Sequence, residues 1–158
     1  MLYRLYKPDD FAALYAIEAV CFQPPMRFSR PYMRQLIGQS NAAAWIAEDD
    51  ARLRGFSIVD WMREGAELSA YIQTIEVVPA ARGQGIGEEL MRRMENSAHV
   101  AGAQAIWLHV DARNAAAIRL YERHGYRCRG RQEGYYGRGN AAHIYDKALL
   151  SVSASSLL

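Results

Sequence analysis

Apolar and polar positions follow two periods along this chain, and the switches between them mark its elements. Leu2 to Tyr6 reads as a first strand, stopped by Pro8. Asp9 or Asp10 is placed to cap a helix over Phe11 to Cys21, in which Phe11, Leu14, Ile17 and Glu18 recur at helical spacing. The next stretch, FQPPMRFSRP, holds three prolines that bar regular helix and central strand. Stiffened by proline and rich in apolar side chains, it has the character of a pocket wall. A short helix from Tyr32 to Ile37 is predicted to end at Gly38. AAAWIAE, LRGFSIVDW and LSAYIQTIEVV, separated by EDDAR and REGAE turns, predict an antiparallel meander.

The period then returns to 3.6. In EELMRRMENSAHVAG the residues Leu90, Met91, Met94 and Ala98 share a face, and Gly102 ends the helix. AIWLHV, Ala105 to Val110, is a buried strand. Asn114 caps a helix from Ala115 to His124 that Gly125 terminates. YRCRGRQEG and HIYDKAL form two more strands around a YYGRGN loop. The order β-α-α-β-β-β-α-β-α-β-β specifies a mixed α/β fold in which antiparallel pairs dominate. One domain is expected over residues 1–150, and the tail SVSASSLL, residues 151–158, is expected to fray.

Composition narrows the classes of partner. The net charge of +2 is too small to imply nucleic acid. Residues 82–131 nevertheless hold nine arginines against five acids, which fits an anionic ligand, with a merely solvated surface as the competing reading. Cys21 and Cys128 have no metal spacing and form no disulfide framework, so both are expected as reduced thiols of a cytoplasmic protein. MLYRLYKPDD lacks the apolar core of a secretory signal, and no apolar run approaches membrane-spanning length.

Chemistry concentrates in VVPAARGQGIG, Val77 to Gly87. A Walker loop requires a lysine after the glycines, and none follows; a dinucleotide fingerprint requires a glycine three residues after Gly85, where Glu88 stands. What remains is strand, Arg82-x-x-Gly85-x-Gly87, helix. Helix N-termini present unpaired N–H groups and the positive end of the dipole. Gly83, Gly85 and Gly87 let a phosphate approach the backbone, and Arg82 can add charge-assisted hydrogen bonds. A tight strand-to-helix connection is the plainer reading of the same glycines.

From Tyr71 to Tyr126 the sequence resembles the GNAT superfamily of acetyl-CoA-dependent N-acetyltransferases. Two blocks carry the likeness, YIQTIEVVPAARGQGIGEELM and IWLHVDARNAAAIRLYERHGY. The resemblance implies the GNAT fold: about seven strands and about four helices, with splayed central strands. It implies acetyl-CoA as cosubstrate and no metal. The amides of Arg82, Gly83, Gln84, Gly85, Ile86 and Gly87 would hold the pyrophosphate, and Ile75, Val77 and Val78 would border the pantetheine. Asn114 and Ala117 would contact the pantetheine from the second block, with Tyr121 near the sulfur.

Within the superfamily the chain looks like the N-terminal acetyltransferases, including bacterial enzymes that act on the N-terminal alanine of a ribosomal protein. Y-I-Q-T-I, L-H-V, N-A-A-A-I-x-L-Y and E-G-Y-Y carry that likeness. His109 takes the place of a glutamate base in the bacterial enzymes, and with Tyr71 it matches a tyrosine/histidine pair that works through ordered water in eukaryotic ones. A lone histidine in an apolar strand is otherwise more often a core residue. His109 is thus the expected general base, Tyr71 its partner and Tyr121 the general acid. Glu76 is the alternative base, although alternation places it on the face opposite Tyr71. Tyr135 and Tyr136 match a pair that binds peptide backbone, and Phe22, Pro24 and Pro25 would form the facing wall.

Two departures stand out: Pro25-Met26-Arg27 replaces the usual P-W-S, and GRGNAA replaces an acidic stretch after the tyrosine pair. The expected acceptor is the α-amino group of a protein or peptide, with a ribosomal protein as one candidate and no nucleic acid or membrane involved. Two other readings stay open. One is a GNAT acting on a small-molecule or lysine amine, and the other is a non-catalytic acyl-CoA-binding module. Oligomeric state is not specified.

Overall fold

The computed structural model describes residues 1–149, so the expectation for the tail at 151–158 lies outside the described residues. Seven strands and four α-helices follow in chain order: β1 (Leu2–Leu5), α1 (Phe11–Cys21), α2 (Arg30–Gly38), β2 (Ala42–Asp49), β3 (Arg52–Glu64), β4 (Glu67–Val77), α3 (Ile86–Val100), β5 (Ala105–Asp111), α4 (Ala115–Arg123), β6 (Arg127–Gln132) and β7 (Ala142–Ala148). The hydrogen-bonded strand order is β1-β2-β3-β4-β5-β7-β6. Pairing is antiparallel for β1–β2, β2–β3, β5–β7 and β6–β7, and parallel for β4–β5. The mixed, mostly antiparallel α/β sheet expected from the residue pattern is therefore the one observed.

The chain divides into two compact units: Met1–Asp60 with Ile72–Ser97, and Trp61–Tyr71 with the chain from Ala98 onward. In the first, Phe11, Leu14 and Ile17 of α1 meet Met33 and Leu36 of α2, Ala44 and Ile46 of β2, and Phe56 and Ile58 of β3. A second cluster joins Ala47, Ala81, Ile86 and Leu90. Burying a side chain of Leu or Phe size is worth about 1.5–3 kcal/mol, so these clusters anchor the helices to the strands. At Gly55 an added Cβ would stand 2.6 Å from the Glu76 carbonyl oxygen, so only glycine lets β3 come so close there.

In the second unit β5 pairs with β7 from Ala105↔Ala148 to Asp111↔Ala142. The β4–β5 ladder consists of Ser69↔Ala105, Ala70↔Ile106 and Tyr71↔Trp107, although β4 runs on to Val77 and β5 to Asp111. Ile106, Leu108 and Val110 are buried on one face of β5, which leaves Trp107 and His109 half-buried on the other.

Two local expectations are corrected. Asp10 stands at the N-cap position of α1 without capping it; its carboxylate instead accepts from the Arg4 guanidinium (2.8 and 2.9 Å) and the Lys7 N–H (2.7 Å). A charged partner outbids the helix amides because charge-assisted hydrogen bonds are the stronger ones. The second helix starts at Arg30 rather than Tyr32, because Ser29 Oγ accepts the Tyr32 N–H and Pro31 suits a first turn. It also retains Gly38, with Gln39 at the C-cap.

Candidate active site

In the first unit the glycine loop leaves β4 through Val78, whose N–H donates to the Arg54 carbonyl (2.9 Å). A single 3-10 turn, Pro79–Ala81, leads to Arg82. Gly83 and Gly85 have φ of +78° and +84°, in the left-handed region that favours glycine, and open space where a Cβ would stand. Glu89 N–H to the Gly85 carbonyl (3.1 Å) begins the α3 ladder, so the amides just before it lie ahead of the helix's own hydrogen bonds. This is a run of backbone donors at the positive end of a 15-residue helix, and it fits a phosphate group. Ile86 is buried in the core, so it can serve such a group through its amide alone. Ile75 and Val77 lie on the half-buried face of β4.

The Arg82 guanidinium folds back on its own loop, with Nε donating to the Val77 carbonyl (3.0 Å) and a terminal nitrogen to Cys21 Sγ (3.6 Å). The remaining donors of its five-donor fork are free of those two bonds. Burial is the main cause that pushes the Cys21 thiol pKa up, so this is no activated thiolate.

Glu76 lies on the other, buried face of β4 with Ala70, Ile72 and Thr74. Thr74 Oγ1 donates to Glu76 Oε2 (2.7 Å), while Glu18 Oε1 accepts from the Phe28 N–H (3.0 Å). The other two carboxyl oxygens, Glu18 Oε2 and Glu76 Oε1, are buried without a hydrogen-bond partner among the described residues. Burial first, then the neighbouring Glu18 carboxyl, lifts the Glu76 pKa well above the usual carboxylate range, so Glu76 is protonated at neutral pH. A neutral carboxylic acid is a hydrogen-bond donor and not a base.

The segment from Phe22 to Ser29 is tied to α1. Arg27 donates to the carbonyls of Phe22 (3.0 Å) and Ala19 (3.1 Å), closing orphan carbonyls at the end of α1, and Tyr15 Oη donates to the Phe28 carbonyl (2.8 Å). Phe22 is half-buried, whereas Pro24 and Pro25 are exposed.

In the second unit the structure brings Tyr71, Trp107, His109, Gln132 and Tyr135 together. Tyr71 Oη and His109 Nδ1 are 2.8 Å apart, and His109 Nε2 lies 3.3 Å from Gln132 Oε1. The Tyr135 ring stacks on the imidazole at 4.0 Å and 6°, and its hydroxyl is 3.5 Å from that of Tyr71. Trp107 meets the Tyr71 ring edge-on at 4.6 Å, and Tyr136 meets Tyr135 the same way at 4.8 Å. Burial holds the His109 pKa below its ordinary value, with the Gln132 hydrogen bond opposing it, so the imidazole is neutral at pH 7. Gln132 and Trp107 were absent from the residues singled out by sequence. Their common signal is the register: Trp107 is two residues from His109 on β5, and Gln132 and His109 reach the same face through Ala142 and Ile144 of β7.

Asn114 Oδ1 accepts the Ala117 N–H (3.1 Å), so it caps α4 as its position predicts and keeps its amide NH2 for other partners. Tyr121 is buried beside Tyr126, with ring centroids at 5.6 Å. Burial raises its phenol pKa, and it stays protonated at any pH at which the protein would work. Tyr136 is raised likewise, first by burial and then by Tyr135. Gly134, Gly137 and Gly139 have positive φ, and the Tyr136 N–H donates to the Asn140 carbonyl (3.1 Å), which shapes the tyrosine loop. Among the described residues no group of three or more His, Cys, Asp or Glu could hold a metal ion, and no helix is long and apolar enough to cross a membrane.

Comparison with known proteins places these features in context. Residues 11–126 match the acetyltransferase (GNAT) family. The chain is 39% identical over 87 residues to streptothricin acetyltransferase of Streptomyces lavendulae, covering 55% of this chain and 45% of that protein. It therefore spans less than half the length of that relative. It is 31% identical over 119 residues to N-alpha-acetyltransferase 30 of Schizosaccharomyces pombe, covering 75% of this chain and 79% of that one. Among solved structures it resembles the ribosomal-protein alanine N-acetyltransferase of Escherichia coli, with a TM-score of 0.82 at 24% identity over 99% of this chain and 98% of that one. That likeness is one of fold.

Proposed function

The chain belongs to the GNAT acetyltransferase family, and we propose that it transfers the acetyl group of acetyl-CoA to a primary amine, the α-amino group of a protein or peptide N-terminus. The observation that carries this reading is the 2.8 Å contact of Tyr71 Oη with His109 Nδ1, in an imidazole kept neutral by burial. The likeness to an N-alpha-acetyltransferase across three-quarters of both chains supports the acceptor class.

Acetyl-CoA, when bound, supplies a thioester carbonyl carbon and a thiol leaving group. The amides at Gly83 to Gly87 would hold its pyrophosphate, with Arg82 adding charge, and Asn114 would offer its side-chain NH2 to the pantetheine. An α-amino group has a pKa of about 7.7–8.0, so part of it is neutral near pH 7, and a neutral imidazole suffices to take the proton released on attack. His109 takes that proton along the path that Tyr71 defines. Tyr121, kept protonated by burial, holds the proton that the departing sulfur needs. Tyr135 and Tyr136, beside His109, border the acceptor. Glu76, held protonated by burial, is assigned a structural role in place of the base.

A second reading, a small-molecule amine as acceptor, draws support from the likeness to streptothricin acetyltransferase. Cationic small amines favour acidic pockets, whereas residues 22–34 and 131–140 carry more arginine than acid. The test offers acetyl-CoA with free-N-terminus peptides, Nα-blocked peptides bearing an internal lysine, and small amines, and follows thiol release. Turnover is expected with the free N-termini, ribosomal-protein sequences included. Turnover confined to small amines or blocked peptides would reassign the acceptor, and acetyl-CoA binding without turnover on any amine would make the chain a binding module.

A further inference from the structure

His109 is held from both sides of its ring, and the two contacts are not equivalent. On one side Nδ1 meets the Tyr71 hydroxyl at 2.8 Å. On the other, Nε2 meets the Gln132 side-chain oxygen at 3.3 Å. An amide oxygen accepts and never donates, so Nε2 must bear hydrogen to make that bond. A neutral imidazole carries one N–H, and once it sits on Nε2 the lone pair is left at Nδ1. The Tyr71 hydroxyl then donates to Nδ1. The Tyr135 ring, nearly parallel to the imidazole at 4.0 Å, keeps the ring plane on which both contacts depend.

We infer that Gln132 is a positioning residue for the transfer: it locks His109 in the Nε2–H tautomer and so aims the only basic lone pair at Tyr71. This rests on the proposed role of His109 as base, and it specifies the route of the proton. As the amine nitrogen bonds to the acyl carbon, the carbon–sulfur bond breaks and the sulfur leaves with its electron pair to take the Tyr121 proton, while the amine proton passes to the Tyr71 oxygen and the Tyr71 proton to Nδ1. Tyr71 ends neutral, His109 ends as imidazolium, and both ring N–H groups have acceptors, Tyr71 Oη and Gln132 Oε1. Gln132 thus also favours the charged product of the step. In the opposite tautomer the basic nitrogen would face Gln132, away from Tyr71. The β6–β7 bulge between Cys128 and Gly130 sets the register that pairs Gln132 with Ala142 and puts it on the His109 face.

Titratable groups against the ring include the Tyr71 and Tyr135 phenols, and Asp111, two residues along β5, is held by Arg113 at 2.9 Å. β7 presents Ile144 opposite His109.

The test uses the full chain, labelled with 15N at its histidine rings, with the His109 signals assigned from His109→Ala. Wild type is expected to show protonated Nε2 and bare Nδ1 at pH 8. Gln132→Leu is expected to mix the tautomers and to lower the His109 pKa by about half to one unit, the scale of a lost neutral hydrogen bond. The acid limb of kcat/KM should move down by the same amount, and kcat should fall several-fold with the acetyl-CoA KM unchanged. Gln132→Glu should move the limb upward, since a carboxylate favours the imidazolium more than an amide does. Bare Nε2 in the wild type would overturn the inference, as would a Gln132→Leu protein with wild-type ring signals and acid limb. The ring signals are read without substrate, so they judge Gln132 even where His109→Ala keeps full activity and the base assignment itself fails.

Discussion

At His109 one residue type serves either packing or proton transfer, and its surroundings decide which. Burial lowers its pKa against the Gln132 hydrogen bond, so it is neutral at pH 7 without being a strong base. An α-amine needs no stronger one. Replacing His109 with alanine should lower kcat by about 10²–10⁴-fold, the usual worth of a general base, and leave the acetyl-CoA Kd near wild type by calorimetry. An unchanged kcat would remove His109 from the mechanism. The acid limb of kcat/KM should fall below pH 6.5, because the free-enzyme pKa is depressed from that value. A limb above it would mean that a charged partner governs the ring. His109, Tyr71 and Tyr135 were legible as residues, since each belongs to a motif. Gln132 was not, because nothing in GRQEGYY says that a glutamine on an exposed strand ends beside a ring 23 positions earlier.

Between elements, the buried carboxyl groups of Glu18 on α1 and Glu76 on β4 bear on stability. Glu18 accepts from the Phe28 N–H and Glu76 from Thr74 Oγ1, and each keeps one buried oxygen without a hydrogen-bond partner among the described residues. Glu76 has a raised pKa in the folded state, so between the unfolded value of about 4.3 and its own the folded protein holds a proton that the unfolded chain releases. The stability from this group is complete below the unfolded pKa and declines as pH rises. Glu76→Gln removes the ionisation, so its Tm should fall less than wild type's between pH 5 and 9 in calorimetric scans. Parallel pH profiles would deny the protonation of Glu76. Glu76→Leu, which leaves the buried Thr74 hydroxyl without its acceptor, should cost about 1–3 kcal/mol by chemical denaturation. Cys21 and the Arg82 that contacts it lie close enough to shift with these variants and are to be followed alongside.

For the molecule as a whole, ligand binding is the measurement that integrates these local arguments. Acetyl-CoA at a hundred times its Kd should stabilise the fold by about 2.7 kcal/mol. For a chain of this size that is a Tm rise of roughly 5–11 °C, readable by thermal scanning. Gly85→Val, which forces a β-branched residue to a φ of +84°, should weaken the Kd and shrink the rise. A full rise in that variant would separate the loop from the cofactor.

Element order, the caps at Asn114, the glycine loop and the two motif blocks were all readable because they depend on neighbours within a few positions. Periodicity reports which face of a helix or strand meets apolar surroundings, and glycine spacing reports where backbone must stay open. Tertiary structure alone decided what each buried polar group faces. It turned Asp10 from a cap into a partner of Arg4, and Glu76 from a candidate base into a buried, protonated carboxylic acid. It also put Gln132 behind His109. Protonation and tautomer follow from burial and from the partner across a sheet. Those partners come from strand register over long sequence separations, about which local pattern carries no information.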